Sequence, residues 1–152
     1  MTGSDVLLAV LAVGVAALLA RGSHPVIAIL LVASALAVSA LLFLPTNMLG
    51  NLVGMDRVHH FYRLTRATPF NPPEWIHIIV FAWLGLLIWL GRATMRSWVG
   101  LALIVALGVA AELAQWLADG REPGLEDAAL NVGGGLLGVL LAVGLRRLFK
   151  RR

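Results

Sequence analysis

Six polar side chains interrupt the apolar part of this sequence, and their chemical types suit proton transfer and anion binding. Carboxylates and histidine are the usual general acids and bases, and an arginine binds phosphate or carboxylate oxygens through two parallel N–H donors. The predicted catalytic residues are Glu112, Asp127 and His77, and the predicted substrate-binding residues are Arg121, Gln115 and Asn131. No nucleophile is evident beside them, because the chain has no cysteine and Ser97 would lie at the opposite face of the membrane.

The spacing of these residues brings them to one place. Glu112 and Gln115 are three residues apart, and Asp127 and Asn131 are four apart, so each pair lies on one side of its helix. The first pair comes near the end of one apolar run and the second near the start of the next. Arg121 lies in the turn between the two runs, and His77 lies one helical turn into the third run, which alternating spans place at the same face. We therefore expect all six residues to meet at one end of the bundle.

Glu112 is the residue that most needs an explanation. It lies five residues, or about 7–8 Å at ~1.5 Å per residue, inside the expected end of its span. A lipid-facing acid at that depth costs roughly 2–3 kcal/mol or more, so it should face the interior and be paired, solvated or protonated. An ionisable residue inside a membrane indicates a functional site.

Each of the other residues also has a structural interpretation. Asp127 suits the first turn of a helix, where the dipole favours an acid. Asn131 and Gln115 are typical of hydrogen bonds between membrane helices. His77 also suits the lipid head-group region. Gly134 and Gly138 form a small-xxx-small pair, which indicates close helix packing.

Composition determines the class of protein. Of 152 residues, 60% are hydrophobic and 13% charged, whereas a soluble domain is about 25% charged. The net charge of +4 does not indicate nucleic-acid binding, because five of the twelve basic residues flank the last apolar run. The sequence predicts an all-α membrane protein with a single transmembrane domain over residues 1–152.

Five apolar runs predict a bundle of about five transmembrane helices. About 20 helical residues cross a bilayer core. The first run is short, and a four-span arrangement with that run flat on the membrane stays open. The runs cover residues 6–20, 25–44, 75–90, 99–117 and 128–145.

The long connection between the second and third runs contains an amphipathic pattern. Asp56, His59, His60 and Arg63 share one helical face, and apolar residues share the other. This predicts a helix lying in the membrane interface. Adjacent histidines point apart on a helix, so a metal site is not predicted here.

The basic residues predict the orientation. With five spans, eight Lys and Arg residues lie on the side of the C-terminus and four on the other side. The positive-inside rule then places the C-terminus in the cytoplasm and the N-terminus outside. A phosphatase fused after Arg152 should be inactive, and activity there would contradict the orientation.

The ordered motifs resemble the VanZ-like family of bacterial membrane proteins. They are Glu74, His77 with Phe81 and Leu84-Gly85, Glu112-x-x-Gln115, Gly120-Arg121, and Asp127-x-x-x-Asn131 followed by Gly134, Gly135 and Gly138. The matching region is residues 74–141. Pro123 follows the arginine here, which departs slightly from the family pattern. The resemblance implies a multi-pass protein of the bacterial plasma membrane, and the founding member is linked to resistance to the glycopeptide teicoplanin.

The resemblance does not imply a reaction, so three kinds of function stay open. The polar cluster would bind an anionic or glycosylated envelope lipid or cell-wall precursor, or act as an acid–base transferase or hydrolase on one. In the second case the two carboxylates would act as acid and base or hold a divalent ion. Proton or cation transport is the third, and would require an oligomer. No metal ligand or cofactor is assigned, membrane lipids are the expected partners, and oligomerisation is left open.

Overall fold

The chain folds into helices that follow its apolar runs. A computed structural model describes residues 3–43, 54–116 and 124–150, and within them it contains six α-helices, one short 3-10 helix and no strand. The helices are α1 (Gly3–Ala20), α2 (Pro25–Phe43), α3 (Met55–Thr65), α4 (Pro72–Gly91), α5 (Trp98–Trp116) and α6 (Leu125–Lys150). The all-α class is confirmed, and a helix covers the described residues of each of the five apolar runs.

Two of these helices are long and apolar enough to cross a membrane by length and composition. They are α4 and the segment Leu125–Phe149 of α6. Only 17% and 33% of the most apolar 18-residue segments of these two helices are buried, whereas the core helix of a soluble protein would be mostly buried. Their exposed apolar surfaces favour a membrane protein. The apolar segments Val6–Ala20, Pro25–Ser39 and Trp98–Ala114 are shorter.

Helices α4 and α6 form the largest interface of the bundle, and glycines make it close. A Cβ added at Gly134 would lie 2.5 Å from the carbonyl oxygen of Ile78, and one added at Gly138 would overlap the carbonyl oxygen of Ala82. Gly85 of α4 meets the backbone of Gly135 in the same way. The two backbones are therefore in direct contact, as the small-xxx-small pair predicts.

The remaining helices pack around this pair. Helix α5 packs on α6 and α2 on α4, and α1 pairs with α2 as a hairpin across a four-residue turn. Gly22 has φ +72° in that turn, a conformation that glycine adopts without strain. Trp83 of α4 donates its indole N–H to the hydroxyl of Ser34 on α2 at 2.8 Å. This hydrogen bond joins the hairpin to the α4–α6 pair.

Basic side chains at one end of the bundle cap helix C-termini. Arg92 donates to the carbonyl of Leu18, the third residue from the end of α1, at 3.0 Å. Arg96 donates to the carbonyls of Trp89 and Leu90 at 3.1 and 3.3 Å. These carbonyls lie in the last turns of their helices, where partners within the helix run out, and the carbonyl of Leu18 also accepts the backbone N–H of Arg21 at 3.3 Å. The arginines therefore stabilise the ends of α1 and α4.

The predicted amphipathic helix is present as α3, directly before α4. Its apolar Met55, Tyr62 and Leu64 are exposed. The hydroxyl of Thr68 then accepts a hydrogen bond from Trp75 at 2.7 Å, and Phe70 stacks edge-on against Trp75. These contacts fix the connection between α3 and the start of α4. They hold α3 beside the end of the bundle at which His77 lies.

Candidate functional site

Four of the six predicted site residues meet between α4, α5 and α6. We call His77, Glu112, Asp127 and Asn131 the acid–amide cluster. His77 lies in the second turn of α4, Glu112 one turn before the end of α5, and the other two in the first two turns of α6. The side chain of Gln115 and the whole of Arg121 lie outside the described residues.

Asn131 is the centre of the acid–amide cluster. It has no exposed surface. Its amide nitrogen donates to Glu112 Oε1 at 2.9 Å and to the carbonyl of Gly108 at 3.3 Å. Its amide oxygen lies 2.8 Å from His77 Nδ1. One side chain therefore joins all three helices, since Gly108 and Glu112 belong to α5 and His77 to α4.

These hydrogen bonds determine the tautomer of His77. The nitrogen end of the amide must face the two acceptors on α5, because both Gly108 and Glu112 present oxygen atoms. The oxygen end then faces His77, so Nδ1 must carry a proton and donate it. In the neutral ring, the lone pair is then on Nε2. Nε2 is the histidine atom left to bind a ligand.

Glu112 is buried, and only one of its two carboxylate oxygens has a hydrogen-bond partner among the described residues. Its side chain is 6% exposed, and its Oε1 accepts the bond from Asn131. Its Oε2 is buried and has no hydrogen-bond partner in the part of the chain that the structure describes. A buried carboxylate oxygen without a partner costs about 1–3 kcal/mol or more. A donor or a cation at Oε2 would remove that cost.

His77 and Glu112 are close but interact mainly through Asn131. His77 Nδ1 lies 3.9 Å from Glu112 Oε1, too long for a hydrogen bond. The amide between them gives each group a fixed partner, which fixes the orientation of both. A pair held in this way is suited to bind a ligand without rearrangement.

Asp127 completes the group of ionisable residues. One ligand atom from each of His77, Glu112 and Asp127 lies within 4.8 Å of the other two. His77 and Asp127 are half-buried, whereas Glu112 and Asn131 are buried. The acid–amide cluster can therefore be reached past His77 and Asp127, and Glu112 lies at its inner end.

Glu74, the acid that opens the matching motif, has a structural role. Its Oε2 accepts the backbone N–H of Asn71 at 2.8 Å, as in a capping box, and Pro72 takes the first helical position. This contact fixes the start of α4 one turn before His77. The Asn-Pro-Pro-Glu sequence signals this cap.

A concave surface also lies on α3. It is an open groove of about 450 Å³. The residues that line it are Asp56, Arg57, His60, Phe61, Arg63 and Leu64. All of them belong to one helix, so the groove is a surface of α3 and not an enclosed site.

Comparison with known proteins gives one match. The family model VanZ/LLP1 matches residues 7–149, nearly the whole chain. No curated protein and no solved structure matches the chain. The match extends beyond the motif region of residues 74–141 and includes α1, α2 and α3, so the whole bundle belongs to the matched unit.

Proposed function

The chain belongs to the VanZ/LLP1 family, and we propose that it is a multi-pass protein of the bacterial plasma membrane that binds the head group of an envelope lipid. The head group is anionic or glycosylated and sits at the acid–amide cluster. The observation that carries the proposal is Glu112 Oε2, a buried carboxylate oxygen with no partner among the described residues. A ligand that supplies the missing partner would explain why the protein keeps such a group.

The helix lengths support five crossings. Helices α1, α2 and α5 have 18, 19 and 19 residues, or about 27–29 Å at 1.5 Å per residue. A bilayer core is about 30 Å thick. Large apolar side chains of α1 and α2 are exposed, including Leu7, Val10 and Ile29. Lipid contact would bury these side chains, and α3 would lie in the interface.

The chemistry of the acid–amide cluster suits a head group. Sugar and glycerol hydroxyls are donors that a carboxylate oxygen accepts, and Nε2 of His77 accepts a second one. The apolar surfaces of α4 and α6 suit acyl chains. Arg121, which lies between α5 and α6 in the sequence, would bind a phosphate. On this proposal, the teicoplanin resistance linked to the founding member would follow from the binding of a lipid by the protein at the outer face of the membrane.

Mass spectrometry of lipids that copurify in mild detergent tests the proposal. We expect the wild-type chain to retain an anionic or glycosylated lipid, and Arg121→Ala to lose an anionic one. Glu112→Gln should also lose the lipid, since it removes the carboxylate oxygen. Glu126→Gln is the control, because Glu126 is an exposed acid beside Asp127. Equal lipid profiles in all four preparations would contradict the proposal.

A second function, acid–base catalysis on the same lipid, has support from one observation. Two carboxylates and a histidine offer ligand atoms within 4.8 Å of each other. In an enzyme, Glu112→Gln and Asp127→Asn would retain the bound lipid but abolish its conversion. If both variants keep full turnover, or if the wild-type chain converts no retained lipid, the catalytic alternative is wrong.

A further inference from the structure

The hydrogen bonds of the acid–amide cluster leave two strong metal-binding atoms unused. Asn131 occupies Nδ1 of His77 and Oε1 of Glu112. Nε2 of the neutral ring and Oε2 of Glu112 remain, and Oε2 has no partner among residues 3–43, 54–116 and 124–150. Histidine ligands of metals commonly donate their other ring N–H to a protein oxygen, as His77 does to Asn131. Asn131 therefore holds His77 and Glu112 in the way that hydrogen-bonding residues around a metal site hold the metal ligands.

Asp127 supplies the third ligand. Ligand atoms of His77, Glu112 and Asp127 lie within 4.8 Å of one another. Tetrahedral ligands at about 2.1 Å from one ion lie roughly 3.4 Å apart, so atoms at the 4.8 Å limit must close by about 1.4 Å. Asp127 is half-buried in the first turn of α6, where a small rotation of its side chain can achieve this.

Charge also favours a cation in this position. The acid–amide cluster contains two carboxylates, and no Lys or Arg side chain among the described residues pairs with either. A divalent ion would offset both charges where the surrounding helices are apolar. Two charged oxygens and one imidazole nitrogen are a mixed donor set, which suits Zn²⁺ or Mn²⁺ better than Ca²⁺ or Mg²⁺.

We infer that His77, Glu112 and Asp127 bind one divalent transition-metal ion, Zn²⁺ or Mn²⁺, with Asn131 as the positioning residue. Three protein ligands leave at least one coordination position open. A phosphate or hydroxyl oxygen of a head group can take that position. The inference therefore extends the proposed function, but the ion is held by protein atoms and binds without a lipid.

Metal analysis of the tag-free, delipidated protein tests the inference. Bound metal is first removed with a chelator, and the protein is then equilibrated with Zn²⁺ or Mn²⁺. After gel filtration, the metal content is measured by inductively coupled plasma mass spectrometry. We expect about one ion per chain for the wild type, as in a mononuclear site. Asp127→Asn and Glu112→Gln should each weaken binding at least about tenfold. Asp127 is half-buried, so its variant is expected to fold even if that of Glu112 does not.

Two control variants separate this site from adventitious binding. Glu126→Gln removes an exposed acid next to Asp127, and His60→Ala removes an exposed histidine on α3. Both should bind the ion as the wild type does. The inference is wrong if the wild type binds neither metal, or if either control loses the ion as Asp127→Asn does. Lipid retention that survives in metal-free protein would leave the head-group proposal standing even when this inference fails.

Discussion

Gly138→Ala is expected to destabilise the bundle, although alanine is the better helix former. A Cβ at Gly138 would overlap the carbonyl oxygen of Ala82 and lie 2.8 Å from the backbone nitrogen of Leu86. These are backbone atoms of α4, so no flexible side chain can move away. Overpacking of this kind costs about 1–3 kcal/mol, occasionally more. The unfolding temperature of the purified protein in detergent should fall.

Gly133→Ala is the matched control on the same helix. A Cβ at Gly133 meets nothing within 4 Å. This substitution should keep or raise the unfolding temperature, because alanine is favoured over glycine inside a helix by about 1 kcal/mol. Equal unfolding temperatures for the two variants would show that α4 and α6 are not in backbone contact.

Asn131→Leu is expected to have the second large effect, even though leucine has the same branched shape and is apolar. The substitution removes the donor to Glu112 Oε1 and the acceptor for His77 Nδ1. Both partners are then left in a site where water is largely excluded. Unpaired buried polar groups cost about 1–3 kcal/mol each. The unfolding temperature should fall, and any ligand of the acid–amide cluster should be lost.

The double variant Asn131→Leu with Glu112→Leu distinguishes this explanation from poor packing. Replacing both members of a buried hydrogen-bonded pair is much less costly than replacing one, because no buried carboxylate is then unpaired. The double variant should therefore be more stable than Asn131→Leu alone. If it is less stable by the sum of the two single effects, the hydrogen bonds are not the cause.

The sequence predicts the helices well because apolar runs and breakers define them. Pro25 and Pro72 stand at the first positions of α2 and α4, and the four-residue turn before Pro25 contains Gly22. The capping of α1 and α4 by Arg92 and Arg96 is not predictable in this way. From the sequence, both residues bear only on the orientation of the chain in the membrane. Their acceptors are backbone carbonyls, which only the folded chain brings within reach of the two arginines.

The sequence predicts where the residues of the acid–amide cluster lie, but not which hydrogen bonds they form. Spacing places Asp127 and Asn131 on one face of α6, and hairpin topology brings Glu112 to the same end. Neither indicates that Asn131 bridges Glu112 and His77, since that depends on the close approach of α4 to α6 at Gly134. The same approach explains why His77, far away in sequence, reaches Asn131 at 2.8 Å.

Native mass spectrometry of the delipidated protein tests the central claim most directly. The wild type is titrated with phosphatidylglycerol, a glycosyl diacylglycerol and plain diacylglycerol, alongside Glu112→Gln and Glu126→Gln. We predict that the wild type and Glu126→Gln bind at least one of the two lipids with a polar head group and do not bind diacylglycerol. Glu112→Gln should lose that binding. Equal binding of all three lipids, or full binding by Glu112→Gln, would contradict a head-group site at the acid–amide cluster.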